Sequence, residues 1–261
     1  MTTPSLSTYG GRLHDVGYKG QVPDMRNFNA ITRILDGATA LDFGQPVNIT
    51  SSTLCEVVNA GSDHVHGFAL RNPTRVANSS DLTLYSVGEN VDVLDNGPIN
   101  LLVAEDVTTG NIVDIIITGG VATIGSKENV AYSAAGAAAG GNTGDGTITG
   151  SPTTGASVKV GVYKIVCIEP AANAGKFTVH DPDGIVLGVA TVGVAFSTGS
   201  HVTFTIADGA TDFVSGDLFN VTVTETTTRI HLDGTNGNVL ARFETDADSG
   251  DIAVAVVQKY A

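Results

Sequence analysis

GGNTGDGTITGSPTTG, residues 140–155, is built almost wholly from glycine, threonine and small polar residues, and it lies near the middle of the 261-residue chain. It reads either as a phosphate-cradling loop or as a seam between two folded parts. A Walker-type loop ends in a lysine that meets the phosphates and a hydroxyl that holds magnesium. No lysine lies between Lys127 and Lys159, and Gly141, Gly144, Gly146 and Gly150 do not fall into G-x-G-x-x-G spacing. A phosphate loop also opens a helix, whereas ASVKVGVYKIVCIEP (156–170) alternates apolar residues as a strand does. The preceding run SAAGAAAGG (133–141) has the composition of a flexible connector. The stretch is therefore expected to be a seam.

Working outward, 42 % hydrophobic content suits a folded chain long enough for one large or two ordinary domains. The 32 glycines and 15 % charged residues suit many short strands joined by tight turns. No apolar run approaches the ~20 residues of a membrane-spanning helix, so no membrane partner is expected. No apolar leader segment is visible at the N-terminus.

The net charge of −14 opposes general nucleic-acid binding, since phosphates are neutralised by Lys and Arg. Residues 1–35 depart from this balance: Arg12, Lys19, Arg26 and Arg33 outweigh Asp15 and Asp24 there. A mildly basic arm on an acidic body either reaches a separate partner or folds back on its own domain. Cys55 and Cys167, the only cysteines, fall in strand-like stretches and form neither a disulfide framework nor a zinc pattern. Buried reduced thiols and a reducing folding compartment are expected.

Within the arm, GYKGQVPDMRNFNAITRIL (17–35) carries breakers and then a possible short helix over 26–35. From Ala40 onward the texture is strand after strand, each bounded by Gly, Asn, Asp or Pro. VDVLDNGPINLLV (91–103) suits a hairpin turning at Asn96-Gly97. An all-β protein is the expectation.

Motifs for chemistry are sparse. Asp181-Pro182-Asp183-Gly184 shares a fragment with calcium loops, but the alternating oxygen ligands stop at Gly184 and a type I turn fits better. His64 and His66 are expected on one strand face, without a third ligand nearby. No G-x-S-x-G or H-E-x-x-H occurs, and neither cysteine has a neighbouring histidine. No enzyme activity, metal or cofactor is expected.

GYKGQVPD (17–24), DGATALDFGQPVNIT (36–50), CEVVNAGSDHVHGFALRNPTR (55–75), YSVGENVDVLDNGPINLLVAEDVTTGNIVDIIIT (85–118) and LARFETDADSGDIAVAVVQ (240–258) together resemble the structural cement proteins of tailed bacteriophages. The resemblance covers roughly residues 17–130 and 227–261. Residues 133–226 interrupt it before its last hairpin and are similar to β-domains appended to phage head-decoration proteins. It implies an arm (1–35), a jelly-roll-like β-sandwich or barrel cement domain (36–132 and 227–261) and an inserted β-sandwich domain (133–226).

The same resemblance implies a location on the capsid exterior after assembly in the bacterial cytoplasm. The partners it implies are the major capsid protein and further copies of the chain, as dimer or trimer. Lys19, Arg26, Phe28 and Arg33 are the expected contact residues. One rival is a glycan- or host-binding module, and another is a glycan hydrolase with two carboxylates across a cleft. The aromatic residues of 133–226 sit in alternating strand patterns, which weakens the binding rival.

Overall fold

The computed structural model describes residues 18–24, 26–72, 84–235 and 237–259. The arm residues 1–17 and most of the arginine-containing loop after Leu70 lie outside them. Two compact units divide the chain: Met1–Val130 with Thr227–Ala261, and Ala131–Thr226.

The first unit begins with β1 (Asn29–Leu35), β2 (Leu41–Asp42), β3 (Pro46–Ile49), β4 (Leu54–Val57) and β5 (Gly67–Ala69). It continues with β6 (Leu84–Tyr85), β7 (Asn90–Leu102), β8 (Val113–Thr118) and β9 (Val121–Ser126). The second unit holds β10 (Tyr132–Ala138), β11 (Thr147–Ile148), β12 (Thr153–Thr154), β13 (Gly161–Ala171) and β14 (Ala174–His180). After these come β15 (Val186–Thr191), β16 (Ala195–Ser197), β17 (Val202–Ala207) and β18 (Leu218–Glu225). The chain then returns to the first unit through β19 (Thr228–His231), β20 (Leu240–Phe243) and β21 (Ile252–Gln258). The protein is all-β, with no α-helix among the described residues.

In the first unit the sheet order is β1-β4-β3-β5-β7-β21-β20, and β1 also pairs with β7, so five strands close into a ring. The helix expected over 26–35 is not formed. Residues 29–35 are extended instead, because Ala30 to Ile34 pair antiparallel with Leu94 back to Asn90 while Ile34 and Leu35 pair parallel with Leu54 and Cys55. Two partners for β-branched Ile31, Thr32 and Ile34 outweigh a weak local helix preference.

The expected hairpin at Asn96-Gly97 is absent as well. β7 runs straight through it for 13 residues. Gly97 takes φ +124°, a conformation L side chains rarely adopt, and the strand changes partner there. Asn96 still pairs with β1, whereas Gly97 to Leu102 pair with Val257 back to Ile252 of β21. The turn dipeptide is overruled by a strand about 150 residues away in sequence.

The two faces of β7 feed two cores. Val91 and Val93 join Leu35, Leu41, Phe43, Val47, Cys55 and Tyr85 inside the ring. Leu94, Ile99 and Leu101 join Phe68, Val113, Ile115, Ile124 and Phe243 in a second core. The small sheet β19-β8-β9 contributes Ile230, Ile115 and Ile124 to this second core. A strand buried on both sides loses its polar-out alternation. Asp95 is buried there and accepts from Asn29 Nδ2 (2.6 Å) and Lys259 Nζ (3.2 Å).

In the second unit, the sheet β10-β18-β13-β14-β15 faces a smaller one in which β11, β12 and β16 all pair with β17. Tyr163, Ile165, Phe177, Phe204, Phe213 and Phe219 fill its core. The glycine-rich stretch 140–155 is not a seam. It lies within this unit, and SAAGAAAGG is no free connector, because β10 pairs with β18 from Tyr132↔Glu225 to Ala138↔Phe219. Asn142 exchanges two hydrogen bonds with the Leu218 backbone (2.8 and 2.9 Å). Asp217 accepts from the backbone of Thr143, Gly144 and Val214 at 2.8 to 3.0 Å. Burial alone would raise the Asp217 carboxyl, yet these three donors hold it below its ordinary value. The ends of the unit meet: Thr226 N–H donates to Ala131 O at 3.0 Å.

Asp181 to Gly184 forms the expected turn, joining β14 to β15 with Gly184 N–H bonded to Asp181 O (2.9 Å). Asp181 also accepts from Asp183 and Ile185 N–H and from Lys159 Nζ. Cys55 and Cys167 are free and buried, and burial pushes the Cys55 thiol up to about 11.

Candidate subunit-contact surface

The segment before β1 is tied to the ring by its backbone. Gly20 N–H donates to Asn100 O (2.8 Å), Asn100 N–H to Gln21 O (2.9 Å) and Arg71 N–H to Gly20 O (2.8 Å). A side chain at Gly20 would meet Gly44 N at 2.7 Å and Ala69 O at 2.9 Å, and φ is +74°, so glycine is required. This anchoring leaves Tyr18 62 % exposed and Phe28 52 % exposed. The Arg71 guanidinium lies 3.8 Å above the Tyr18 ring, an attraction between a cation and the ring's negative face. Tyr18, Gln21, Val22, Phe28, Leu70 and Arg71 line an open groove.

Lys19 pairs with Asp42 of its own chain. Arg26 pairs with Asp24 (2.8 Å) and makes a two-pronged bond to Glu244 (2.6 Å to each oxygen). Hydrogen bonding to Glu244 is the main reason the Arg26 guanidinium holds its proton more tightly than usual. Lys19 and Arg26 thus pair with acidic groups of their own chain, while Arg12 lies outside the described residues. Arg26 and Phe28 are the exposed members of the four expected contact residues. Arg33 shares a strand face with Ile31 and Leu35, is half-buried, and donates to Thr32 O (2.8 Å). Lys19, Arg26 and Phe28 are brought to the same segment, and Arg33 is turned away into the sheet.

Sequence reading missed a buried charge network on β19. Arg229, whose side chain is 8 % exposed, donates to Glu105 (2.9 and 3.1 Å), to Ser126 O (3.2 Å) and to Asp114 (3.5 Å). Asp114, wholly buried, bonds His231 Nδ1 at 2.6 Å. Burial raises the Asp114 carboxyl above its ordinary value, against the opposing pull of His231 and Arg229. The available signal was Arg229 and His231 alternating with Ile230, which puts both on one strand face.

His64 and His66 lie in the connection before β5, not in a strand, with ring centres 6.3 Å apart. His66 Nδ1 accepts from Ile49 N–H (3.1 Å), and burial lowers its pKa. Among the described residues, no three His, Cys, Asp or Glu side chains converge as a metal site. What the described surface offers is contact chemistry: exposed rings, a stacked guanidinium and two-pronged ion pairs.

The family described as structural cement protein (E217 gp24/Pam3 gp6) matches residues 6–179, and the chain belongs to it. It is therefore a structural protein of the bacteriophage virion, located with the capsid, in a family that is not a class of enzymes. The match runs past the boundary between the units and through Val179 of β14.

No curated protein matches the chain. Among solved structures, a crystal structure of Xanthomonas campestris FlgL in space group C2 is 16 % identical, with a TM-score of 0.28, covering 44 % of each chain. A second crystal structure of that protein, in space group H3, is 17 % identical with a TM-score of 0.28, covering 66 % of this chain and 52 % of its own. The chain spans about half the length of these proteins or less.

Proposed function

We propose that this protein coats the outside of a phage capsid and bridges neighbouring major capsid protein subunits as a homo-oligomer. Family membership carries the reading. It is supported by the exposed Tyr18 and Phe28 beside Arg71, since aromatic rings and arginine are enriched where proteins meet. Ala131–Thr226 is in this reading a domain inserted into the cement fold, supported by its separate core and its adjoining ends.

The contact segment is residues 18–28, with Lys19 and Arg26 setting its shape and Phe28 meeting the partner. Arg33 supports β1 from within the sheet. The glycan-binding alternative is less favoured. Tyr163, Phe177, Phe204, Phe213 and Phe219 are buried, so the rings that stack on sugars are turned inward.

The test is electron microscopy of shells with and without the protein, using Tyr18→Ala with Phe28→Ala. Both residues are exposed, so the variant should fold normally and lose most of its occupancy on the outer shell. Density on the inner surface, or equal occupancy by a folded variant, would sink the proposal. A ligand that binds only intact shells stabilises them by mass action, so decorated particles should also release DNA at higher temperature.

A further inference from the structure

Asn29 opens β1 and Lys259 follows β21, yet one carboxylate holds both. β7 pairs with β1 as far as Asn29↔Asn96, and with β21 from Gly97↔Val257 onward. The start of β1 and the end of β21 are thereby brought to one point of β7, although the two strands do not pair with each other. Asp95 lies at that point, 1 % exposed. Its Oδ1 accepts from Asn29 Nδ2 (2.6 Å) and its Oδ2 from Lys259 Nζ (3.2 Å). Ile31, Ile49 and Val239 wall the cavity that Asp95 and Lys259 line.

Among the described residues, no other carboxylate paired with a lysine also accepts from a side-chain amide. Asp42 and Asp181 take backbone N–H groups besides their lysines, and Asp233 takes Thr235. An amine, an amide and a carboxylate touching both are the components of amide transfer. The amine supplies the nucleophile, the carboxylate moves protons, and the amide nitrogen leaves. Both reacting groups are unreactive when they meet at random, and the fold replaces that encounter by holding them on one carboxylate.

We propose that Asp95 catalyses an isopeptide bond between Lys259 and Asn29 of the same chain, with release of ammonia. The carboxylate takes a proton from the Lys259 ammonium, and the freed Nζ attacks Cγ of Asn29 to form the new C–N bond. Asp95 then passes its proton to Nδ2, the bond between Cγ and Nδ2 breaks, and ammonia departs. The excess proton left on Nζ goes to that ammonia. An ammonium and a primary amide become a secondary amide and an ammonium ion, with no change of oxidation state and no co-reactant. The bond ties β1 to β21 beside β7, a cross-link of long span in a chain whose two cysteines are free.

The test is intact-mass spectrometry of the full chain after prolonged warming of the folded protein, followed by proteolysis. Wild type should weigh one ammonia less than its sequence, and the peptides carrying Asn29 and Lys259 should be recovered as one branched species. The branched peptide decides, because an asparagine that cyclises onto its own backbone loses the same mass without joining two peptides. Lys259→Arg keeps a cation beside Asp95 and should retain the full sequence mass, as should Asn29→Ala. Asp95→Asn, which keeps the shape of the side chain, should form the bond at least about a hundredfold more slowly. A wild type that yields no branched peptide, whatever its mass, overturns the proposal. So does a folded Asp95→Asn variant that forms the bond at the wild-type rate.

Discussion

Replacing Arg229 with alanine removes the one cation that holds Glu105, Asp114 and the Ser126 carbonyl together. Asp114 stays wholly buried with the His231 hydrogen bond as its remaining side-chain contact, and Glu105 loses both of its arginine bonds. Removing one member of a buried ion pair costs about 3–5 kcal/mol, because the other charge is left uncompensated. In a unit of this size each kcal/mol moves the melting temperature by roughly 2–4 °C, so the Arg229→Ala melt should fall by roughly 6–20 °C. Differential scanning calorimetry of the full chain reads this directly. Asp114→Asn in the Arg229→Ala background should return part of the loss, because it removes the stranded charge.

The pH dependence has a definite sign. Asp114 has a raised folded pKa, so it binds its proton more readily folded than unfolded. Its charge weighs against folding as pH rises from the unfolded value through the folded one, and it is relieved on acidification. The deficit of Arg229→Ala should therefore shrink towards low pH. A melt lowered by less than about 2 °C at neutral pH would refute the claim that this network carries stability.

Deleting 131–226 and joining Val130 to Thr227 by a short Gly-Ser link should leave the first unit folded, since Ala131 and Thr226 already touch and the loop term is small. Residues 131–226 alone should melt cooperatively, and an unfolded result for both pieces by circular dichroism would contradict the division into two units. Asp217→Ala should cost the second unit about 2–4 kcal/mol by denaturant unfolding, because three backbone N–H groups lose a charged acceptor. Asp233, held at about 2 by Lys127 and Thr235 although burial opposes this, contributes stability above its unfolded pKa and loses it as pH falls towards 2. Asp233→Asn should flatten that part of an acid titration of the melting temperature.

The strands were legible wherever alternation was complete within one segment, as in Gly161–Ala171 and Val202–Ala207. The turn at Asp181 was legible because all four of its residues are local. Three features were hidden by partners distant in sequence. Asn29–Leu35 became a strand through Asn90–Asn96, Asn96-Gly97 was held straight by β21, and the Gly-Ala run was ordered by β18. Charge pointed to residues 1–35 as an arm, with Lys19, Arg26, Phe28 and Arg33 as its expected contacts, but Asp42 and Glu244 as the acids meeting Lys19 and Arg26 could not be read from spacing. The Arg229 network was hidden for the same reason, since Asp114 and Glu105 are more than 110 residues away.

The path of β7 between two cores has a kinetic consequence. Its first half seals the ring only when β1 is in place, and its second half is held by β21 from the chain's other end. Neither core can open while β7 stays put, and releasing β7 exposes both. Amide protons of Val91 to Leu101 should thus exchange with solvent only through the global opening of the first unit, at one shared rate. The contacts that seal β7 also span most of the sequence, which makes its closure a slow, late event in folding.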